Sequence, residues 1–243
     1  MTRKIKFILA VAIAVLSLGS CNKKDQDPVT YYQASVTLKQ KDGTIYMRQD
    51  DSTALIASNL SKYPYAGSAE HRAMILFSTS FQKSKTPVSG FKNTFDIELK
   101  ALDSTMTKKP VISKGTPALD EKAYGKDPVG LYFSPTFPPT MVEDGYLSVT
   151  FAFRYGGNVI HSIDLVTGVD AEDPYTVELR HNANGDFEDY ESSGNMIAFP
   201  LKSLPDTKGK TVKLTLKWTS LATGQKESAQ FDYCTRNDWP EEK

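Results

Sequence analysis

Cysteine is almost missing from this chain: Cys21 and Cys234 are the two in 243 residues. With Cys21 engaged as argued below, Cys234 has no intramolecular partner, so no disulfide framework holds the fold and its cores must do so. Cys234 is then either a reactive thiol or a small buried or half-buried filler at a strand end. Histidine is scarce as well, limited to His71, His161 and His181. Neither Gly-x-Ser-x-Gly nor His-Glu-x-x-His occurs, which removes two common hydrolase readings. His161, Ser162 and Asp164 lie close together, but on a strand His161 points one way and Ser162 and Asp164 the other, so they form no triad. No basic excess exists either, with 29 Lys+Arg against 29 Asp+Glu. Nonspecific nucleic-acid binding rests on phosphate neutralisation, and this balance argues against it.

What is present begins at the amino terminus. Arg3, Lys4 and Lys6 precede an apolar run from Phe7 to Leu18, too short for a spanning helix of about 20 residues but suited to a secretory signal. The run ends in Leu18-Gly19-Ser20-Cys21, the arrangement of a lipobox. Cleavage between Ser20 and Cys21, with lipid on the Cys21 sulfur, would make residues 1–20 a signal peptide and tie the remainder to a membrane. Residues 21–30 are polar and charged with no apolar period, as in a solvated tether. The expected location is the bacterial envelope, lipid-anchored to the outer membrane, on its periplasmic or its surface face. Loss of residues 1–20 removes three cations and leaves a net charge of −3. The charge is uneven: residues 29–112 carry net +4 and residues 115–236 net −6, which suggests two domains with surfaces of opposite sign.

Residues 31–112 read as a small β domain. Val36 and Leu38 alternate with polar neighbours, Asp42-Gly43 is a hairpin signal, and Thr44–Arg48 follows as a second strand. Ala54–Ala57 continues that strand or opens a third. Arg72–Phe81 is an apolar run of strand length, and Phe95, Ile97 and Leu99 alternate with charged residues. Four or five strands in so short a span, without a helix, suit a small OB-like barrel. Its tyrosines (Tyr31, Tyr32, Tyr46, Tyr63 and Tyr65) form either an aromatic binding face or half-buried strand positions with wet hydroxyls. Pro110, Gly115, Pro117, Gly125 and Pro128 then interrupt regular structure, placing the expected boundary near residue 112.

Residues 113–236 hold the clearest alternation. Leu147, Val149, Phe151 and Phe153 share one face and Tyr146, Ser148, Thr150 and Ala152 the other. Gly156-Gly157 leads into an expected strand over Val159–Val166, Asn184-Gly185 is a second hairpin signal, and Leu214, Leu216 and Trp218 alternate again. Six one-sided strands joined by short turns must pair faces, which predicts an all-β chain with a β-sandwich here and a tail over 237–243. His161 shares a face with Ile163 and Leu165 and reads as a hydrogen-bonded core residue; His181 reads as a strand-end residue that caps or bridges the turn. Asn182, Asn184, Asp186, Glu188, Asp189 and Glu191 are oxygen-rich. Aligning Gly185 with the fixed glycine of a calcium loop puts Arg180 where Asp is needed, so the stretch reads as a solvated acidic hairpin with no metal.

The run Gly145–Phe151, then Tyr155-Gly156-Gly157-Asn158, Ile160-His161 and Asp164-Leu165-Val166, resembles the NigD-like lipoproteins, as do Val177–Ala183 and Phe199-Pro200-Leu201. The resemblance implies an amino-terminal OB-like domain followed by a carboxy-terminal β-sandwich. It also implies a role of the bacteriocin-immunity kind, and it supplies no catalytic residues. The combined expectation is a non-catalytic, cofactor-free envelope lipoprotein that meets membrane lipid through Cys21 and binds a protein partner. A surface glycan-binding accessory is the alternative.

Overall fold

A computed structural model describes residues 11–13, 29–63, 70–134, 139–157, 159–186 and 190–240, with backbone only at 11–13 and 190–194. The lipobox, Ser20 and Cys21 included, lies outside the described residues, as do Tyr65, Asn158 and residues 187–189. The chain divides into two compact units between Thr105 and Met106.

In the first unit, β1 (Val11–Ile13) pairs with the start of β2 (Tyr31–Lys41), and β3 (Thr44–Arg48), β4 (Thr53–Ala57), β5 (His71–Ser78) and β6 (Asn93–Ser104) follow. The order β2-β3-β4-β6-β5 closes on itself because β5 also pairs with β2, making a five-stranded barrel of the OB kind. Closure leaves these strands no common open edge. The β2–β3 turn puts Asp42 and Gly43 at φ 50° and 77°, the left-handed pair that a two-residue hairpin demands. Val36, Leu38, Met47, Leu55, Ile75, Ile97 and Leu99 fill the interior. Ala54–Ala57 opens a third strand. The run expected to reach Phe81 stops at Ser78, and Phe81 turns off at φ 55° with its ring half exposed. The described tyrosines do not make one face: Tyr46 is buried against Phe91, whereas Tyr32 packs on Phe77 and Phe81, and the Tyr63 hydroxyl donates to the Leu99 carbonyl.

The second unit is a sandwich of two sheets. Its elements are β7 (Met106–Thr107), β8 (Val111–Ile112), α1 (Pro117–Tyr124), β9 (Gly130–Leu131), β10 (Met141–Glu143), β11 (Tyr146–Tyr155), β12 (Ser162–Thr167), β13 (Thr176–Asn182), β14 (Tyr190–Pro200), β15 (Val212–Thr219) and β16 (Lys226–Tyr233). One sheet runs β10-β11-β14-β7 with β9 also on β11, and the other β16-β15-β13-β12-β8. Leu147, Val149, Leu165, Leu179, Phe199, Leu214 and Leu216 meet between them. Residues 106–112, grouped by the sequence with the first domain, supply one short parallel strand to each sheet of the second.

Four sequence readings of this unit change. The proline-rich stretch after residue 112 holds a helix: Pro117 sits in its first turn, where a missing N–H costs nothing, and the Thr116 hydroxyl accepts from the Leu119 N–H. The face of β11 expected to be wet is buried at Tyr146, Ser148, Thr150 and Ala152. Thr140 hydrogen-bonds the Thr150 backbone, and Trp239 packs edge-on against Tyr146, so flanking segments cover that face. The strand expected from Val159 begins at Ser162, which leaves Val159 and Ile160 in a loop. Cys234 is exposed at the end of β16 rather than buried, with the Thr207 hydroxyl 3.6 Å from its sulfur.

Candidate functional site

One end of the sandwich interior is closed by polar groups. Phe153 is the last ring on the inner face of β11, and both histidines of this unit stack on it: centroids lie 4.6 Å away for His161 and 4.8 Å for His181. The fold brings them there by register. His181 stands opposite Ile163 across the β12–β13 ladder, so it points inward with Leu179 and Val177, and His161 enters two residues before Ile163 on the same side. His181 is therefore fully buried and caps no turn.

His181 Nδ1 lies 3.0 Å from the Pro128 carbonyl oxygen, and His161 Nδ1 lies 2.9 Å from His181 Nε2. A carbonyl only accepts, so His181 carries its proton on Nδ1, and its Nε2 accepts from His161. On the far side, His161 Nε2 faces the Asp186 carboxylate at 3.5 Å, and both atoms are buried without another hydrogen-bond partner. The other Asp186 oxygen accepts the Gly156 N–H at 2.6 Å. Asp186 thus belongs to a buried chain rather than to a solvated hairpin; the Asn184-Gly185 turn, with both residues left-handed, carries it back inward.

The segment after α1 completes the surround. Gly125 approaches β13 so closely that a Cβ would lie 2.3 Å from the His181 carbonyl oxygen, which only glycine at its φ of 86° avoids. Asp127 donates its N–H to that carbonyl and accepts the Ala183 N–H on its side chain. Burial holds the His181 imidazole below its ordinary pKa. The Pro128 carbonyl opposes that, His161 adds to it, and Asp127 opposes it. At Asp186 burial pushes upward, yet the Gly156 N–H, His161 and the Gly157 N–H together hold the carboxyl below the usual carboxylate value.

Each ring nitrogen faces a protein atom, so the cluster holds protons and offers none of these nitrogens to a substrate. Among the described residues no group of three or more His, Cys, Asp or Glu is arranged to hold a metal. His71 belongs to the first unit, at the start of β5. Above the cluster Ile160 (87% accessible) and Val159 (45%) stand exposed in the β11–β12 loop, beside Tyr155 at the end of β11. The loop is not adrift: Asn184 Nδ2 donates to the Ile160 carbonyl at 2.7 Å and Asp186 holds Gly156, so one hairpin grips it at both ends. Spacing marked His161 as a core residue, but Asp127, Pro128 and Phe153 carry no sequence signal that ties them to it.

A second buried polar group lies on the outer face of β13, beneath α1. Arg180 bonds Glu178 at 2.8 Å and the Gly125 carbonyl at 3.0 Å, and Lys226 also pairs with Glu178. Burial lowers the pKa of Lys226, opposed by Glu121. These ions pair with one another under a helix, a structural arrangement.

The profile of the NigD-like C-terminal β-sandwich domain matches residues 110–233, half of the chain. The chain belongs to the NigD-like family. Among solved structures, a protein from Parabacteroides distasonis described as toxin-related is 30% identical over 84% of this chain and 93% of its own, with a TM-score of 0.64. A Bacteroides vulgatus protein of unknown function is 20% identical over 88% of this chain and 96% of its own, at TM-score 0.62. A NigD-like immunity protein from Bacteroides caccae is 22% identical over 83% and 96%, at TM-score 0.55. These last two share the fold. No curated protein matches the chain.

Proposed function

We propose that this NigD-like protein is an envelope lipoprotein, anchored to the outer membrane through lipid on Cys21, that binds a protein partner and turns over no substrate. The observation that carries the reading is the β11–β12 loop: two adjacent β-branched side chains stand in solvent on a backbone gripped by hydrogen bonds. Exposed apolar groups held in one pose suit docking, because little conformational entropy is lost when a partner covers them. The family, and the immunity and toxin-related descriptions of two similar structures, support a partner of the bacteriocin kind. A surface glycan is the second reading, favoured by the half-exposed Phe81 ring set edge-on to Tyr32 at 5.1 Å and to Phe95 at 6.0 Å.

Cys21→Ser is expected to abolish fatty-acid incorporation and membrane fractionation; equal labelling of the two forms would remove the anchor. A photo-crosslinker at Ile160 in intact cells is expected to capture a protein that a crosslinker at exposed Lys210 does not. Capture from neither position, with saturable binding of a purified glycan lost in Phe81→Ala, would shift the assignment to sugar.

A further inference from the structure

We infer that the Asp186–His161–His181 chain is an acid-sensitive latch on the β11–β12 loop, which a second proton shared by the two rings drives open. The geometry has room for one proton between His161 Nδ1 and His181 Nε2, which are 2.9 Å apart. Because His181 Nδ1 is committed to the Pro128 carbonyl, the next proton that His181 accepts must go on Nε2. Once His161 also holds a proton on Nε2, two N–H groups meet head to head where one hydrogen bond stood, with two like charges on neighbouring rings. Neither ring can turn away in place, since Phe153 lies against both. His161 is the ring free to leave, because it precedes β12, whereas His181 lies within β13 between paired residues.

The groups that face the rings set the direction of the response. Asp186 approaches from the β13–β14 hairpin, Asp127 and the Pro128 carbonyl from the segment after α1, and Phe153 from β11. Asp186 faces His161 Nε2, whereas the head-to-head contact forms at Nδ1, so the carboxylate can bond the outer N–H of His161 but does not relieve the contact between the rings. Departure of His161 pulls on Ile160, its chain neighbour, and forfeits the contact with Asp186. The latch stands on this geometry alone. Its consequence, that acid withdraws Val159 and Ile160 from their fixed pose and weakens partner capture, rests on the docking role proposed for the loop.

Amide hydrogen exchange on the whole mature polypeptide tests this from about pH 7.5 to about pH 5, corrected for intrinsic exchange. The expected result is a loss of protection of at least roughly tenfold at Gly156 and Gly157, whose N–H groups face Asp186, on acidification, with the barrel strands unchanged. His161→Phe, which keeps a ring against Phe153 and removes the shared proton, is expected to flatten that response. Unchanged wild-type protection, or an equal loss in wild type and His161→Phe, would overturn the latch. If His161→Phe does not fold, the ¹⁵N shifts of wild-type His181 decide: protonation of Nε2 must coincide with loop opening, and opening without it overturns the inference. Exchange that responds to acid while crosslinking through Ile160 does not would leave the latch standing and end the docking role of the loop.

Discussion

β6 of the barrel and β11 and β13 of the sandwich share one alternating pattern, yet they treat their second face differently. In the barrel, β6 buries Ile97 and Leu99 and gives Asp96, Glu98 and Lys100 to water. In the sandwich, β11 buries seven consecutive residues from Tyr146 to Ala152, and β13 buries six from Thr176 to His181. β6 is paired on both edges, with β4 and β5, and its outer face is left to water. The sandwich instead draws in α1, Thr140 and Trp239 as outer layers: Arg180 bonds the Gly125 carbonyl, Thr140 bonds the Thr150 backbone, and Trp239 lies edge-on to Tyr146. The lesson concerns pattern: alternation of polarity reports which face is apolar and says nothing about whether the polar face is wet.

The comparison can be broken first at the sandwich core. Phe151→Ala is expected to cost roughly 3–5 kcal/mol, since the ring is buried and packs against Phe153 at 5.7 Å. Denaturant melts measure it, and exchange in the barrel strands is expected to stay as it was. Gly125→Ala comes next, at about 1–3 kcal/mol, because a Cβ would meet the β13 backbone and the positive φ strains any other residue. That change should also disturb the His181 ring signals, which no substitution in β6 would do.

Smaller, and aimed at the second face itself, is the pair Thr150→Ala and Lys100→Ala. Thr150 is 2% accessible and is expected to lose about 1–2 kcal/mol from a buried methyl and its packing, whereas the exposed Lys100 should stay within about 0.5 kcal/mol. Equal costs would mean that the outer layer over β11 is loose. The smallest effect is on pH. His181 binds its proton less readily folded than unfolded, so between its folded value and the ordinary 6.5 the unfolded chain holds more protons. Its contribution is complete above about 6.5 and is lost as pH falls below it. Asp186, also lowered, follows when pH drops below 3.8 and through its folded value. Thermal melts at successive pH values should show the sandwich transition falling in acid in two stages.

Much of the strand pattern was legible because its signals are local: Asp42-Gly43 for the barrel hairpin, period two for β2 and β6, and Leu214–Trp218 likewise for β15 of the sandwich. α1 was hidden because Pro117, taken alone, reads as a breaker, and only the Thr116 cap before it and Gly125 after it make that proline a helix start. The loop at Val159–Ile160 was read as strand because β-branched residues favour strands wherever they stand, and nothing local says that Asn184 holds Ile160 out of the ladder. His161 as an inward residue followed from parity along the strand. Its partners did not, since Pro128, Phe153, His181 and Asp186 converge from four separate segments.

By itself, then, the amino-acid sequence determined an all-β chain in two parts, with NigD-like runs in the second, and the lipobox at residues 18–21 stands as its expectation. Those properties depend on neighbours a few residues apart, where turn chemistry and side-chain alternation act directly. Tertiary structure alone decided which polar faces are dry, which hydrophobic pair stands in solvent, and that two histidines share one proton space. Each of these depends on what a distant segment places opposite a side chain, and backbone register across sheets, not local preference, sets that.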